Sequence, residues 1–149
     1  MILDILTLMS DDQDLSQAAG TYYSDVLNLS GDPGYTTSVD APNGIQHDLG
    51  KGYAVELLCQ LTETVTSGGA ATMVVSLQTA TDEVFTTPID LVVSSTFALA
   101  ALVAGTYLLP QHVPYGTEQY VRIKYVIGTA TTTAGTATAG ITMGHQSNR

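Results

Sequence analysis

Three histidines (His47, His112, His145), a single cysteine (Cys59) and fourteen carboxylates are the residues of this chain with acid–base, nucleophilic or metal-binding chemistry to offer. No two of the histidines stand at i, i+2 or i, i+4, the spacings that set paired ligands on one face of a strand or helix. The acidic clusters "SDDQD" and "TDE" resemble pieces of calcium loops, but they lack the ordered Asp, Asp/Asn, Gly and closing Glu of an EF-hand. Glu56, Glu63 and Glu118 are carboxylates that a fold built of distant strands can bring together for glycoside hydrolysis, and nothing in their spacing selects a pair. Cys59 lies in "YAVELLCQL", where Val55, Leu57, Cys59 and Leu61 share one face, so it is expected to be a small buried hydrophobe. A lone cysteine makes no internal disulfide, and a catalytic role would need a base for which the sequence offers no evident candidate. Walker loops, nucleophile elbows and dinucleotide fingerprints are missing. The expectation is a protein with no enzymatic activity, no cofactor and no metal.

The charge pattern narrows the partners. Net charge is −10 with only four Lys and Arg, and nucleic-acid affinity rests on many cations neutralising phosphates, so a nucleic-acid partner is not expected. Residues 1–75 hold ten acids against the single base Lys51. That asymmetry fits either a solvated acidic face or contact with a positive or polar partner surface. Charged residues make up 12% of the chain, about half the ordinary share of about 25%. Much of the exterior must therefore be Thr, Ser, Ala and Gly, and the 22 Thr and eight Tyr favour strands. There is no Trp and there are only two Phe, which weakens an aromatic platform for sugars, although Tyr22, Tyr23, Tyr35 and Tyr115 can substitute. The opening "MILDILTLMSDDQDL" lacks a basic leader, carries Asp4 within its apolar part and turns acidic at once, so it is expected to be retained. Phe97 to Gly105 is far shorter than the about 20 residues of a membrane helix, and no membrane partner is expected.

Periodicity points to strands throughout. "TYYSDVLNLS" is expected as the first, followed by a turn at Pro33-Gly34, a reversal at Asn43-Gly44 and a long connection over 31–51. Tyr53 to Thr64 and Thr72 to Thr79, with Met73, Val75 and Leu77 inward, are expected to form an antiparallel hairpin across "TSGGAA". "FTTPIDLVVS", "TFALAALVAG", "TYLLP", "QYVRIKYVIG" and "TATAGITMG" follow, with "FALAALVAG" also able to form a short helix. About eight short strands without a βαβ rhythm imply an all-β, antiparallel sandwich of jelly-roll type, in which two packed sheets leave few unpaired edges. Residues 1–20 are expected to be an apolar N-terminal arm and 21–149 a single sandwich domain. The arm carries Ile2, Leu3, Ile5, Leu6, Leu8 and Met9, which must be covered by their own domain or by another protein.

Two of the four cations lie together in "YVRIKYVIG". Val121, Ile123, Tyr125 and Ile127 fall on one face of this strand and Tyr120, Arg122, Lys124 and Val126 on the other. Tyr120, Arg122 and Lys124 therefore present cations beside an aromatic ring, either for an interface or paired to acids such as Glu56 on a neighbouring strand. The uncharged "GTATTTAGTATAG" after them suits close approach by another surface.

The combination of "MILDILTLMSDDQDL", "VSLQTATDEVF", "STFALAALVAGTYLLPQHVP" and "GTEQYVRIKYVIGTATTTAGTATAGITMG" resembles the capsid cement, or decoration, proteins of tailed bacteriophages. Residues 31–51 look longer than that family's pattern. The resemblance implies a β-sandwich that assembles as a homotrimer on the outer surface of the virion capsid, binds the major capsid protein and clamps neighbouring capsomers, after synthesis in the bacterial host cytoplasm. Under it, the arm docks on the shell or on an adjacent subunit, so that deleting residues 1–15 costs shell binding and spares the fold, and charge reversal at Arg122 and Lys124 weakens assembly. The competing reading is a carbohydrate-binding β-sandwich module of a phage fibre or secreted protein.

Overall fold

The core assembles where alternation is strictest. The computed structural model describes residues 7–29 and 55–142, and its elements are strands joined by loops and one 3₁₀ turn. In order they are β1 (Leu8–Asp14), β2 (Gly20–Tyr23), β3 (Leu27–Asn28), β4 (Glu56–Ser67), β5 (Thr72–Ala80), β6 (Ile89–Val93), β7 (Phe97–Ala98), the 3₁₀ turn Leu99–Ala101, β8 (Tyr120–Gly128) and β9 (Thr132–Thr142). Ile2, Leu3, Ile5 and Leu6 of the expected arm, the turns at Pro33-Gly34 and Asn43-Gly44, the 31–51 connection, His47 and His145 lie outside the described residues.

One sheet runs β1-β9-β4 and the other β2-β8-β5-β6, all pairs antiparallel. Two rows are broken strands. β3 continues β2 along β8, and β7 continues β6 along β5. An eighth row is irregular: residues 105–113 run antiparallel along the far edge of β4, through Leu57 N to Gln111 O (3.1 Å), Leu108 N to Cys59 O (2.8 Å), Val113 N to Val55 O (2.9 Å) and Gly105 N to Leu61 O (2.7 Å). Pro110 lacks a donor, which keeps this row from becoming a regular strand. Numbered along the chain, the eight rows lie in the orders 1-8-3-6 and 2-7-4-5. The protein is an all-β sandwich with the jelly-roll order.

Two expectations are corrected. β4 and β5 do not form a hairpin; they belong to opposite sheets, and the Gly-Gly loop carries the chain from one layer to the other. Each strand has an apolar inner face to bury, and facing across the core satisfies both. Nor do residues 8–14 form an arm apart from the body. β1 pairs with β9, Met9 and Leu15 are buried in the core, and the Leu15 N–H donates to Gly135 O at 2.9 Å. Met9 is thus unavailable as a contact for another protein, and Leu8 is half-buried against Gly140.

The small residues of β9 serve this interior. A Cβ on Gly135 (φ +130) would lie 2.7 Å from Val65 Cγ2, and one on Gly140 would lie 2.8 Å from the Thr7 carbonyl. The close approach expected from "GTATTTAGTATAG" is made within the chain, by β1 and β4 on either side. Ala139 has Ser10 of β1 on one flank and Cys59 of β4 on the other. Its bare methyl leaves room for Tyr125 of β8, whose hydroxyl hydrogen-bonds Ser10 Oγ at 3.1 Å and meets the Cys59 thiol. Ser10 Oγ donates onward to Gln13 Oε1 at 2.6 Å, and Gln13 Nε2 donates to the Tyr23 carbonyl at 3.0 Å. A polar thread therefore crosses the core from β4 and β8 to β1 and β2, with each member partnered as burial requires.

Burial pushes the Cys59 thiol from 9.0 up to about 12, against the opposing hydrogen bond from Tyr125. Burial, then the neighbouring thiol, raises Tyr125 well above the phenol range. Both groups fold neutral, so their contribution is complete below the unfolded-state values and is lost as pH rises toward the folded ones, at up to about 1.4 kcal/mol per pH unit for each group. Cys59→Ala is expected to flatten the fall in urea-unfolding stability between the 9.0 of the free thiol and the value of about 12 in the fold, and an unchanged slope would contradict the assignment. Removing residues 1–15 takes β1, Met9 and Leu15 with it, and cooperative thermal unfolding is expected to disappear.

Candidate functional site

Strict alternation on β8 turns Arg122 and Lys124 outward while Val121, Ile123, Tyr125 and Ile127 are buried. Register then decides their neighbours. Arg122 lies beside Gln78 of β5 and Lys124 beside Ser76, while β6 sets Asp90 against Gln78 and β2 sets Tyr23 against Lys124. These side chains make one connected surface on the outside of the second sheet. Arg122 Cζ lies 3.8 Å from the Tyr23 ring centroid and 3.9 Å from that of Phe85. Its Nε donates to Gln78 Oε1 at 3.0 Å. Gln78 Nε2 donates to Asp90 Oδ1 at 2.8 Å, Ser76 Oγ donates to the same oxygen at 3.3 Å, and Lys124 Nζ spans both Asp90 oxygens at 3.0 and 2.9 Å.

A guanidinium held between two rings is an effective use of arginine, since its planar cation stacks on each π-face. Partial burial lowers the Arg122 pKa, while the nearby Tyr23 and Asp90 oppose that shift. Burial alone would raise the Asp90 carboxyl; the hydrogen bond from Lys124, that from Gln78, the Lys124 charge and Ser76 together outweigh it and hold Asp90 below its usual range. The acid that pairs with this face is thus Asp90, and Glu56 lies on β4 in the other sheet. Tyr120 stands apart from the network at the start of β8; its hydroxyl accepts from Gln119 Nε2 at 3.1 Å and its carbonyl accepts from Thr79 Oγ1 at 2.9 Å.

Sequence reasoning did not join Phe85, Gln78 or Asp90 to this face, and it named Tyr23 only as a substitute platform for sugars, not as a partner of Arg122. Phe85 comes from the loop between β5 and β6, where it adopts φ +56, unusual for a bulky residue. Asp82 braces that loop. Its carboxylate accepts from Thr86 N at 2.8 and 3.0 Å, and its carbonyl accepts from Phe85 N at 3.2 Å. The loop thereby buries Phe85 over Arg122 and leaves Val84 exposed at its tip. A phenylalanine within "TDEVFTTP" was the available signal, because an aromatic residue amid turn formers needs a surface to cover.

The other outer face is rich in hydroxyls and acids. Thr62 Oγ1 meets Thr136 Oγ1 at 2.7 Å, Thr66 meets Thr133 at 2.9 Å, and Asp12, at φ +45 in a β1 bulge, accepts from Thr62 at 2.6 Å and from Thr138 at 3.3 Å. Asp11, Asp14 and Glu63 are exposed near it. Among the described residues no group of three His, Cys, Asp or Glu side chains is placed to hold a metal ion, and no helix among them is long and apolar enough to cross a membrane.

A family model, Bbp16, matches residues 34–141, from within the 31–51 connection into β9. The chain belongs to the Bbp16 family. This is a phage-associated family, and its match includes every member of the Arg122 network except Tyr23. No curated protein matches this Bbp16-family chain.

Arg122→Met keeps an aliphatic stem and removes the cation between the rings; the expected loss is about 1 to 2 kcal/mol in urea unfolding. The depressed Asp90 carboxyl contributes stability that is present above its unfolded value, about 3.9, and is lost as pH falls through the folded one. Asp90→Asn is therefore expected to flatten the acid limb of the stability profile, with little effect at neutral pH beyond the about 0 to 1 kcal/mol of an exposed pair.

Proposed function

We propose that this protein is a structural component of a phage virion that binds the outside of the capsid and cements neighbouring capsomers through the major capsid protein. Membership of a phage-associated family over most of the chain is the observation that carries the reading. The character of the surface supports it. The outward side chains of the second sheet are fastened to one another by stacking and hydrogen bonds, so they offer a rigid contour that loses little freedom on contact. Binding only the assembled shell would stabilise that state by mass action, and a self-associated unit, the homotrimer that the resemblance implies, would multiply weak contacts by effective concentration. No catalytic step, cofactor, nucleic acid or membrane enters this reading, and the place of action is the outer surface of the virion.

Purified protein mixed with expanded shells stripped of it should co-sediment, and Arg122→Glu with Lys124→Glu should reduce the bound amount at least tenfold. A second variant, Asp90→Asn with Lys124→Gln, removes both charges while keeping polar partners, and separates lost docking from lost folding when its melting temperature stays near that of the wild type. Wild-type decoration by the charge-reversed protein would contradict the assignment of this face. Specific binding of the isolated protein on a glycan array would favour the carbohydrate-binding alternative, for which the exposed Tyr23 ring is the relevant feature.

A further inference from the structure

The fold holds Arg122 by both faces and one edge of its guanidinium and leaves the other edge to solvent. Tyr23 and Phe85 stack on the plane at 3.8 and 3.9 Å, and Nε donates to Gln78 Oε1 at 3.0 Å. A guanidinium carries its N–H donors in one rigid plane and is never neutral in a protein. Among the described residues its two terminal nitrogens make no hydrogen bond, and they are not among the polar atoms buried without a partner, so they reach solvent. Asp90 is the carboxylate whose charge acts on Arg122, but Lys124 Nζ takes both of its oxygens at 3.0 and 2.9 Å. Packing within the chain thus uses the faces and Nε. It leaves the parallel pair of donors whose geometry matches a carboxylate.

The surroundings strengthen such a contact. Gln78 bonds Arg122 through its oxygen and Asp90 through its nitrogen, which fixes the turn of the guanidinium about its stem. The freedom that an arginine ordinarily loses on binding is therefore already lost in folding. Tyr23 is 46% exposed on one flank, and Val84, next in the chain to Phe85, is 84% exposed on the other. A partner seated on the fork covers these apolar groups and shields the ion pair from water, where it is stronger.

We propose that the outer edge of Arg122 is a carboxylate-binding site, which takes the side chain of an Asp or Glu of a protein partner as a bidentate pair. The proposal rests on the capsid reading, under which that acid belongs to the major capsid protein. A carboxylate fits better than a phosphate, because a chain of net charge −10 opposes a dianion more than a monoanion. Gln78 and Asp90 are positioning residues: one orients the fork, and the other keeps Lys124 from drawing the incoming acid away.

Binding isotherms of the purified protein on expanded shells stripped of it test the site. Arg122→Lys keeps a cation between the rings and removes the fork; it should weaken binding at least tenfold at a melting temperature near that of the wild type. Wild-type affinity in the folded Arg122→Lys protein would overturn the carboxylate site and leave shell docking standing. Wild-type protein that fails to bind shells would remove docking and site together. Where Arg122→Lys does not fold, wild-type protein is measured on shells whose exposed carboxylates have been converted to methylamides. Binding should again fall at least tenfold, whereas general charge predicts a rise for so acidic a chain, and unchanged or tighter binding would overturn the site. Inorganic phosphate should compete no better than chloride at matched ionic strength; selective competition by phosphate would overturn the assignment to a carboxylate.

Discussion

A tyrosine that crosses the core governs how the two sheets fit. Among the described residues Tyr125 is the largest fully buried side chain, and its hydroxyl meets Ser10 and Cys59, the residues that flank the single methyl of Ala139 in register. Interiors packed at crystal-like density tolerate such a ring only where a neighbour is small. The composition of β9 follows from this: Ala137 and Ala139 inward, Gly135 and Gly140 where Val65 and Leu8 press close. The hydroxyl also fixes where β1 lies, since Ser10 and Gln13 hand the hydrogen bonds on to the Tyr23 carbonyl.

From that anchor the outer surface is built by register. With Tyr125 turned inward, its neighbour Lys124 must turn outward, and the pairing with β5 and β6 brings Ser76, Gln78 and Asp90 beneath it and beside Arg122. The aromatic clasp from Tyr23 and Phe85 completes a surface whose charges are spent on one another. Such a face has modest energy in each ion pair, yet considerable stiffness. The chain thus separates its surfaces: a hydroxyl-rich acidic side over the first sheet, and a stacked, internally neutralised side over the second.

Alternation made much of this legible. The inward sets of β5 and β8 and the buried position of Cys59 could be read from period-2 spacing alone, because a one-residue slip would send a whole apolar set into water. The partners of the strands could not. Whether β4 and β5 form a hairpin or face one another across the core depends on which other strands compete for their edges, a non-local matter that a short Gly-Gly loop does not reveal. The same holds for Arg122 and Lys124. Their exposure was readable, but Asp90 lies 34 residues from Lys124, and Phe85 reaches Arg122 only because Asp82 braces a loop into an unusual conformation. Met9 shows the reverse error: an apolar segment near the chain's start reads equally as a docking arm or as an edge strand, and only pairing with β9 distinguishes them.

Under the proposed role, in which the sandwich acts by the surface it presses against a capsid, its presence should be felt as mechanical strength. The direct measurement is the temperature and osmotic shock at which virions assembled with and without this protein release their contents. Particles lacking it are expected to fail at lower temperature and milder shock, and to regain tolerance when the purified protein is added back. Equal tolerance in the two preparations would contradict the account.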